Sequence, residues 1–149
     1  MSIISSLLTI KECTPEKANK VSCLSTYAND SYDEMINNGK CFVYVIVVFN
    51  RLLGRVVLFT DSENKELADG KSICYFSNLW VHPKLRGMKI GSKLVRFVEK
   101  QAKKKGFKYL TLGVRKDNEK NVSIYKHLGF KEIVKDTNGK HINMKKKIQ

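Results

Sequence analysis

Residues 78–95 decide the fold, and they read NLWVHPKLRGMKIGSKLV. An apolar segment ends at His82-Pro83, and a short loop with two glycines leads into a segment with helical periodicity. Proline lacks the backbone donor that a central strand needs, so the strand stops there. The pattern therefore predicts a strand, a glycine-containing loop and an amphipathic helix in direct succession.

The loop between this strand and this helix has the features of an anion-binding site. The first amides of a helix have no acceptor inside it, and the helix dipole adds partial positive charge at the same end. Glycine lets the backbone approach a ligand closely. We expect these amides to bind a pyrophosphate, with further charge from Arg86, Lys89 and Lys93. The spacing is neither that of a Walker loop nor that of a Rossmann fingerprint, and the alternative is an ordinary glycine-containing loop.

Hydrophobic periodicity and turn residues predict the element order β-α-α-β-β-β-α-β-α-β-β, a mixed α/β fold. The predicted strands cover residues 7–12, 41–49, 52–60, 72–81, 109–114, 130–134 and 141–147. The predicted helices cover residues 14–27, 31–37 and 90–105 and a segment from Asp117 or Asn118 to Leu128. Asn50-Arg51 and Asn138-Gly139 are the expected turns between antiparallel strands. Residues 73–114 should form a right-handed parallel crossover.

The length and composition indicate one globular unit. The 149 residues suit a single domain over residues 1–149, with 42% hydrophobic and 28% charged side chains. The longest apolar run, nine residues at 41–49, is far shorter than the roughly 20 that a membrane helix needs. The first ten residues show no signal-peptide pattern. We therefore expect a cytoplasmic protein with no membrane partner.

The net charge of +14 is concentrated in the second half of the chain. Residues 1–74 carry 8 basic and 9 acidic side chains, whereas residues 75–149 carry 20 basic and 5 acidic ones. Such a half attracts a polyanion, which makes a basic nucleic-acid-binding module one alternative function. No recognised nucleic-acid motif accompanies the charge, so no nucleic-acid partner is expected.

The cysteines and histidines do not form a metal-binding pattern. No two of the four cysteines have metal-ligand spacing, and only three histidines are present. We expect no metal and reduced, mostly buried thiols. His82 is expected in a turn, and His127 on the outer surface of a helix. The cysteines are Cys13, Cys23, Cys41 and Cys74.

The segment quoted first resembles the acetyl-CoA motif of the GNAT superfamily of N-acetyltransferases, Gln/Arg-x-x-Gly-x-Gly/Ala after a Val-x-Pro-like turn. Arg86 stands at the first motif position and Gly91 at the last. Lys89 replaces the middle glycine, and a site built from backbone groups tolerates a side chain that points outward. The resemblance implies a twisted, mixed, mostly antiparallel central sheet of six to seven strands, flanked by about four helices.

A second segment, residues 117–130, is similar to another conserved pattern of this superfamily, Asn-x-x-Ala-x-x-hydrophobic-Tyr followed by Gly-Phe. Asn118 and Tyr125 match it, as do Gly129 and Phe130, whereas Asn121 replaces the alanine. The seven-residue spacing places Asn118 and Tyr125 two helical turns apart on one face. Both side chains can therefore reach one extended ligand.

The resemblance implies an N-acetyltransferase that passes the acetyl group of acetyl-CoA to a primary amine by direct attack in a ternary complex. Tyr125 would protonate the leaving thiolate, since phenol and thiol pKa values are comparable. The alternative for Tyr125 is a packing role, with its hydroxyl on a backbone carbonyl. Arg115 and nearby lysines could meet the 3′-phosphate. The implied acetyl-CoA contacts are Leu79, Trp80, Val81, Arg86, Gly87, Met88, Lys89, Ile90, Gly91, Ser92, Asn118 and Tyr125.

The general base is not apparent from the sequence. Many members of the superfamily have a glutamate where this chain has Ser77, and a serine is no base at neutral pH. Ser77 could instead hold a water that relays the proton. Asp30, Asp33 and Glu34 could attract a cationic amine, or they could form a solvated helix face.

Two matters stay open at this point. The acceptor is a small cationic amine or a peptide or protein amine, and the absent carboxylate at Ser77 keeps a non-catalytic acyl-CoA sensor as an alternative. Members of this superfamily often dimerise through their C-terminal strands, so a homodimer is one of the oligomeric states that the resemblance allows.

Overall fold

The computed structural model describes residues 7–13, 30–133 and 139–149, with the side chains of residues 30–33 left aside. The helix expected over residues 14–27, and Asn138 of the last turn, lie outside the described residues. The described elements are β1 (Lys11–Glu12), α1 (Asp30–Asn37), β2 (Cys41–Val48), β3 (Arg51–Phe59), β4 (Ile73–Val81), a 3-10 turn (Pro83–Leu85), α2 (Ile90–Lys104), β5 (Tyr109–Arg115), α3 (Glu119–His127), β6 (Lys131–Glu132) and β7 (His141–Lys147).

The seven described strands form one sheet in the order β1-β2-β3-β4-β5-β7-β6. All neighbouring strands run antiparallel except β4 and β5, which are parallel and are connected through α2. The predicted mixed, mostly antiparallel sheet is confirmed, and so are most strand positions. Three α-helices belong to the described part of the chain.

The two faces of the sheet have separate cores because side chains alternate along each strand. Tyr44, Val56, Phe76 and Leu112 belong to the core under α2 and α3, which we call the α2 face. The opposite α1 face buries a smaller cluster, against which α1 packs. The residues of that cluster are Cys13, Cys41, Val43, Val45 and Val57.

Helix α2 packs closely on the centre of the sheet, as its periodicity predicts. Its buried stripe is Ile90, Leu94, Val95, Val98 and Ala102. Gly54 of β3 makes this approach feasible, because a Cβ there would stand only 3.2 Å from the Leu94 side chain. The close packing places the N-terminus of α2 directly beyond the end of β4.

Two predictions at the edge of the sheet were wrong in detail. The strand expected over residues 7–12 is reduced to Lys11–Glu12, because Leu8 and Ile10 pack on the core and the Leu8 carbonyl accepts a hydrogen bond from Lys93 Nζ. The hairpin turn lies one residue earlier than expected, at Phe49-Asn50. Both turn residues have positive φ, as a two-residue hairpin turn of type I′ requires.

A carboxylate organises the segment that leads into β4. Asp69 Oδ1 accepts hydrogen bonds from the backbone amides of Lys71, Ser72 and Ile73, each at 2.9 Å. Burial raises the pKa of this carboxyl, but the backbone hydrogen bonds outweigh that effect and lower it to about 2. The start of β4 is therefore held by a charged side chain.

The structure also bears on the expected thiols and histidines. Cys13, Cys41 and Cys74 are buried, as expected, and burial raises the thiol pKa of Cys41 and Cys74 to about 12. Cys23 lies outside the described residues. His82 lies in a turn, where its Nδ1 accepts from the Lys84 amide, and His127 is exposed on α3. Across residues 7–13, 30–133 and 139–149, no three His, Cys, Asp or Glu side chains gather as a metal site. No helix among the same residues is long and apolar enough to cross a membrane.

Candidate active site

The parallel strands β4 and β5 separate soon after they begin. Their pairing covers only Ile73–Tyr75 with Tyr109–Thr111. Further along, β4 continues to pair with β3 on its other side, and β5 continues to pair with β7. The facing edges of residues 76–81 and 112–115 are thus unpaired within the described sheet. We call this wedge, whose backbone donors and acceptors are not used in pairing between β4 and β5, the fork.

A β-bulge in β4 lies at the fork. Val57 pairs with Ser77, but Arg55 pairs with Trp80, so two residues of β4 stand opposite Val56 alone. Asn78 takes a left-handed conformation with φ of 55° to accommodate the extra residue. The bulge changes the direction of the backbone where β4 leaves β5.

The strand end shows which backbone groups face the fork. The His82 amide donates to the Leu53 carbonyl of β3 at 2.9 Å. Because successive residues of a strand present their polar groups to opposite edges, the groups of Val81 and Leu79 face away from β3 and into the fork. The same alternation turns the backbone of Trp80 toward β3. Of the three predicted contacts on β4, only Leu79 and Val81 therefore offer backbone groups to the fork.

The N-terminus of α2 stands at the mouth of the fork. Lys89 caps the helix in a left-handed conformation with φ of 61°, and its side chain makes no capping hydrogen bond. The amides of Ile90, Gly91 and Ser92 therefore have no intrahelical acceptor. A Cβ on Gly91 would stand 3.9 Å from the Val81 side chain, so the helix end and the strand end touch. No acidic residue occupies the first turn.

The predicted cations of this region differ in where they point. Arg86 Nε donates to the Val81 carbonyl at 3.0 Å, which keeps its guanidinium at the end of β4. Lys93 donates instead to the Leu8 carbonyl, on the N-terminal segment. Arg115, expected to meet a 3′-phosphate, forms two hydrogen bonds with Asp117 at 3.2 and 2.9 Å. The Arg86 charge thus lies at the end of β4, whereas the Lys93 ammonium contacts the N-terminal segment.

Helix α3 supplies the two motif residues on the other side of the fork. Asn118 is the N-cap, and its side-chain oxygen accepts from the Asn121 amide at 3.2 Å. That bond confirms the predicted cap and leaves the side-chain NH2 group as the part of Asn118 that a ligand can use. Tyr125 lies two turns later on the same helix.

Tyr125 projects from α3 into the core beside the fork. It is 8% exposed, and its ring contacts Phe76 and Phe130 edge to face at centroid distances of 6.1 and 6.2 Å. Burial, and next the Tyr75 phenol, raise the pKa of Tyr125 above its ordinary value.

On the α1 face of the fork, the described part of β4 presents hydroxyl groups. Ser77 is half-buried beside the bulge, and Tyr75 precedes it on the same face. The Tyr75 hydroxyl reaches across to β5, 3.8 Å from the position that a Cβ on Gly113 would take. Glu34 of the predicted acidic cluster is exposed on α1, and the side chains of Asp30 and Asp33 lie outside the described set.

Two residues at this site were missed from the sequence. Tyr75 could have been found by alternation, because it lies two residues before Ser77. Arg55 is buried in an otherwise apolar strand. The sequence indicates it by a single arginine within the apolar run LLGRVVLF.

The comparisons with known proteins agree with this geometry. The family model described as "Acetyltransferase (GNAT) family" matches residues 7–130, and the chain therefore belongs to that family. Its sequence is 38% identical over 64 residues to the thialysine N-epsilon-acetyltransferase of Sus scrofa. That match covers 43% of this chain and 37% of the relative, so the chain spans little more than a third of the relative's length.

Two solved structures have the same fold. The PaiA N-acetyltransferase from Thermoplasma acidophilum, solved in complex with coenzyme A, superposes with a TM-score of 0.67 over 99% of both chains at 22% identity. The spermidine/spermine N-acetyltransferase SpeG from Vibrio cholerae superposes with a TM-score of 0.72 at 17% identity, over 97% of this chain and 95% of its own. At such identities the likeness concerns the fold alone.

Proposed function

We propose that this protein transfers the acetyl group of acetyl-CoA to a primary amine by direct attack in a ternary complex. The observation that carries the proposal is the fork, a pair of unpaired strand edges that opens beside a helix N-terminus. An extended ligand with amide groups can pair with such edges as an added strand does. A ligand that ends in a pyrophosphate can at the same time occupy the helix end.

The residues at the fork fit acetyl-CoA. The amides of residues 86–92 and the charge of Arg86 would hold the pyrophosphate. The backbone groups of Leu79 and Val81 would pair with the acetyl and pantetheine parts, and the Asn118 side chain would bond the pantetheine arm. When bound, acetyl-CoA supplies a thioester carbonyl that a neutral amine attacks.

Tyr125 is suited to protonate the departing thiolate. A phenol is protonated at neutral pH, and burial raises the pKa of Tyr125 further, so the proton is present when the thiolate forms. The edge-to-face contacts with Phe76 and Phe130 restrict the ring to one orientation. These contacts support the role of general acid for Tyr125.

The acceptor side favours a small amine. Ser77 and Tyr75 present hydroxyls where a water could be held, which supports a water-relayed deprotonation of the acceptor ammonium. Thialysine and spermidine, named in the relatives described above, are small amines, and this supports the same class here. A peptide or protein amine is the alternative acceptor.

The experiment is a thiol-release assay with acetyl-CoA and a panel of amines. Polyamines, amino acids, aminoglycosides, amino sugars and short peptides would be compared, with acetyl-CoA alone as the control for hydrolysis. Release with one class would establish the transfer and identify the acceptor class. The absence of thermal stabilisation by CoA would contradict the assignment of residues 86–92.

A non-catalytic acyl-CoA sensor is the second candidate, and the neutral side chain at Ser77 favours it. It would show clear thermal stabilisation by acetyl-CoA and no thiol release with any amine of the panel. The expected absence of a nucleic-acid partner and the homodimer that the family resemblance allows stay predictions, which binding at graded salt concentration and sedimentation would test.

A further inference from the structure

Arg55 is an unusual side chain in its surroundings. It is 6% exposed in the middle of β3, between Gly54 and Val56. Within the described part of the chain, Thr111 is the other buried polar side chain, and it is bonded to the Leu67 and Cys74 carbonyls. Arg55 instead donates its Nε to the Asn78 carbonyl at 3.4 Å, across the bulge of β4.

A buried guanidinium is a costly choice of side chain for such a strand. Desolvating a charged group is costly, and a well-packed apolar side chain of similar volume often gives equal or greater stability. The neighbouring positions of β3 are apolar. The arginine therefore points to a role that an apolar residue could not perform.

The hydrogen bond from Arg55 to Asn78 acts on the peptide group between Asn78 and Leu79. The Asn78 carbonyl and the Leu79 amide belong to the same planar trans peptide, so their C=O and N–H bonds point in opposite directions. A donor that holds the carbonyl on the β3 side thereby fixes the Leu79 N–H toward the fork. A charged donor on the carbonyl also polarises the amide and strengthens it as a donor.

We propose that Arg55 is a positioning residue, which orients and polarises the Leu79 amide so that this amide can donate to the thioester carbonyl oxygen. The proposal rests on the proposed function, because it assumes that the thioester lies at the fork. The bulge by itself places the peptide there, and Arg55 holds it in one orientation.

The test compares Arg55→Met with the wild type and with Arg51→Met. Arg51 is exposed at the start of the same strand, so its variant removes an equal charge without touching the bulge. We expect kcat of Arg55→Met to fall about 10²-fold, as misplacement of a reacting group typically does. Arg51→Met should keep the wild-type kcat.

The second readout is the ratio of the dissociation constants for acetyl-CoA and CoA. Loss of the oriented Leu79 amide should weaken the binding of acetyl-CoA relative to the binding of CoA. The affinity for CoA itself should stay within about twofold, since residues 86–92 lie on another element. If Arg55 had a purely structural role, the substitution would weaken the binding of both ligands equally and would lower Tm in proportion. Arg55→Lys, which keeps a cation and a donor, should restore part of kcat and serves if Arg55→Met does not fold.

Two outcomes overturn the inference. One is a kcat within about twofold of wild type in Arg55→Met, or in Arg55→Gln if the first is insoluble. The other is an unchanged ratio of acetyl-CoA to CoA affinity in the same variants. Failure of the proposed function would look different, because the wild type itself would then release no thiol.

Discussion

The two halves of the candidate site are built in different ways. Residues 86–92 form a continuous segment whose free amides exist because a helix begins there. The fork requires four strands, since β3 and β7 hold β4 and β5 apart while their mutual pairing stops at Tyr75 and Thr111. A local segment can thus bind an anion by itself, whereas the position of a reacting group depends on the whole sheet.

The largest expected effect separates chemistry at the fork from binding at the loop. Tyr125→Phe should lower kcat at least 10²-fold, because it removes the proposed general acid and leaves the ring contacts intact. The dissociation constant for CoA should not change, since the amides of residues 86–92 are untouched. Steady-state kinetics and isothermal titration would measure the two quantities, and unchanged turnover would contradict the assignment of Tyr125.

The next prediction concerns a substitution that weakens the start of β4, on which the fork depends. Asp69→Asn should reduce the free energy of unfolding by about 1–3 kcal/mol, because the charge that accepts three backbone hydrogen bonds is lost. Urea unfolding would measure the loss. Glu63→Gln, an exposed change in the same loop, should have no measurable effect.

The same carboxylate has a defined dependence on pH. Its pKa of about 2 in the folded protein lies below the ordinary 3.8, so its stabilisation is fully present above pH 3.8. That contribution should disappear as the pH falls toward 2, and Asp69→Asn should lack it. If wild type and variant lost stability in parallel between pH 4 and 2, Asp69 would not be the group responsible.

A third substitution weakens ligand binding at residues 86–92 and leaves the fork unchanged. Gly91→Asp should raise KM for acetyl-CoA about tenfold, because a carboxylate would face the bound pyrophosphate. The same carboxylate stabilises a helix N-terminus by about 0.3–1 kcal/mol, so Tm should not fall. Kinetics and thermal unfolding would show the two effects in opposite directions, and Gly91→Ala is the matched uncharged control.

The smallest expected effect concerns backbone strain in the loop. Lys89→Gly should raise stability by about 1 kcal/mol, because the left-handed conformation at φ of 61° disfavours a side chain. Phe49→Gly is a suitable comparison, since Phe49 has φ of 49° in an exposed hairpin turn far along the chain from the loop. Both variants should gain stability in urea titration, and only Lys89→Gly should alter KM for acetyl-CoA.

Sequence reasoning was most successful where structure is local. The strand, loop and helix over residues 73–105, the Asn118 cap and the last strand at residues 141–147 are present as predicted. It was less successful at β1, where the Lys93 bond to Leu8 and core packing replace strand pairing, and at the hairpin turn, which tolerates Phe49 at positive φ. At β1 the contacts with distant segments outweighed the local preference.

The sequence by itself determined the class of fold, the helix start at Ile90 and the residues that resemble the acetyl-CoA motif, because capping, periodicity and turn chemistry act over a few residues. Only the tertiary structure decided where β4 and β5 part, that Asn78 forms a bulge and that a buried Arg55 bonds its carbonyl. Such features depend on register between strands that are distant in the chain, and register follows from packing of the whole sheet rather than from any one segment.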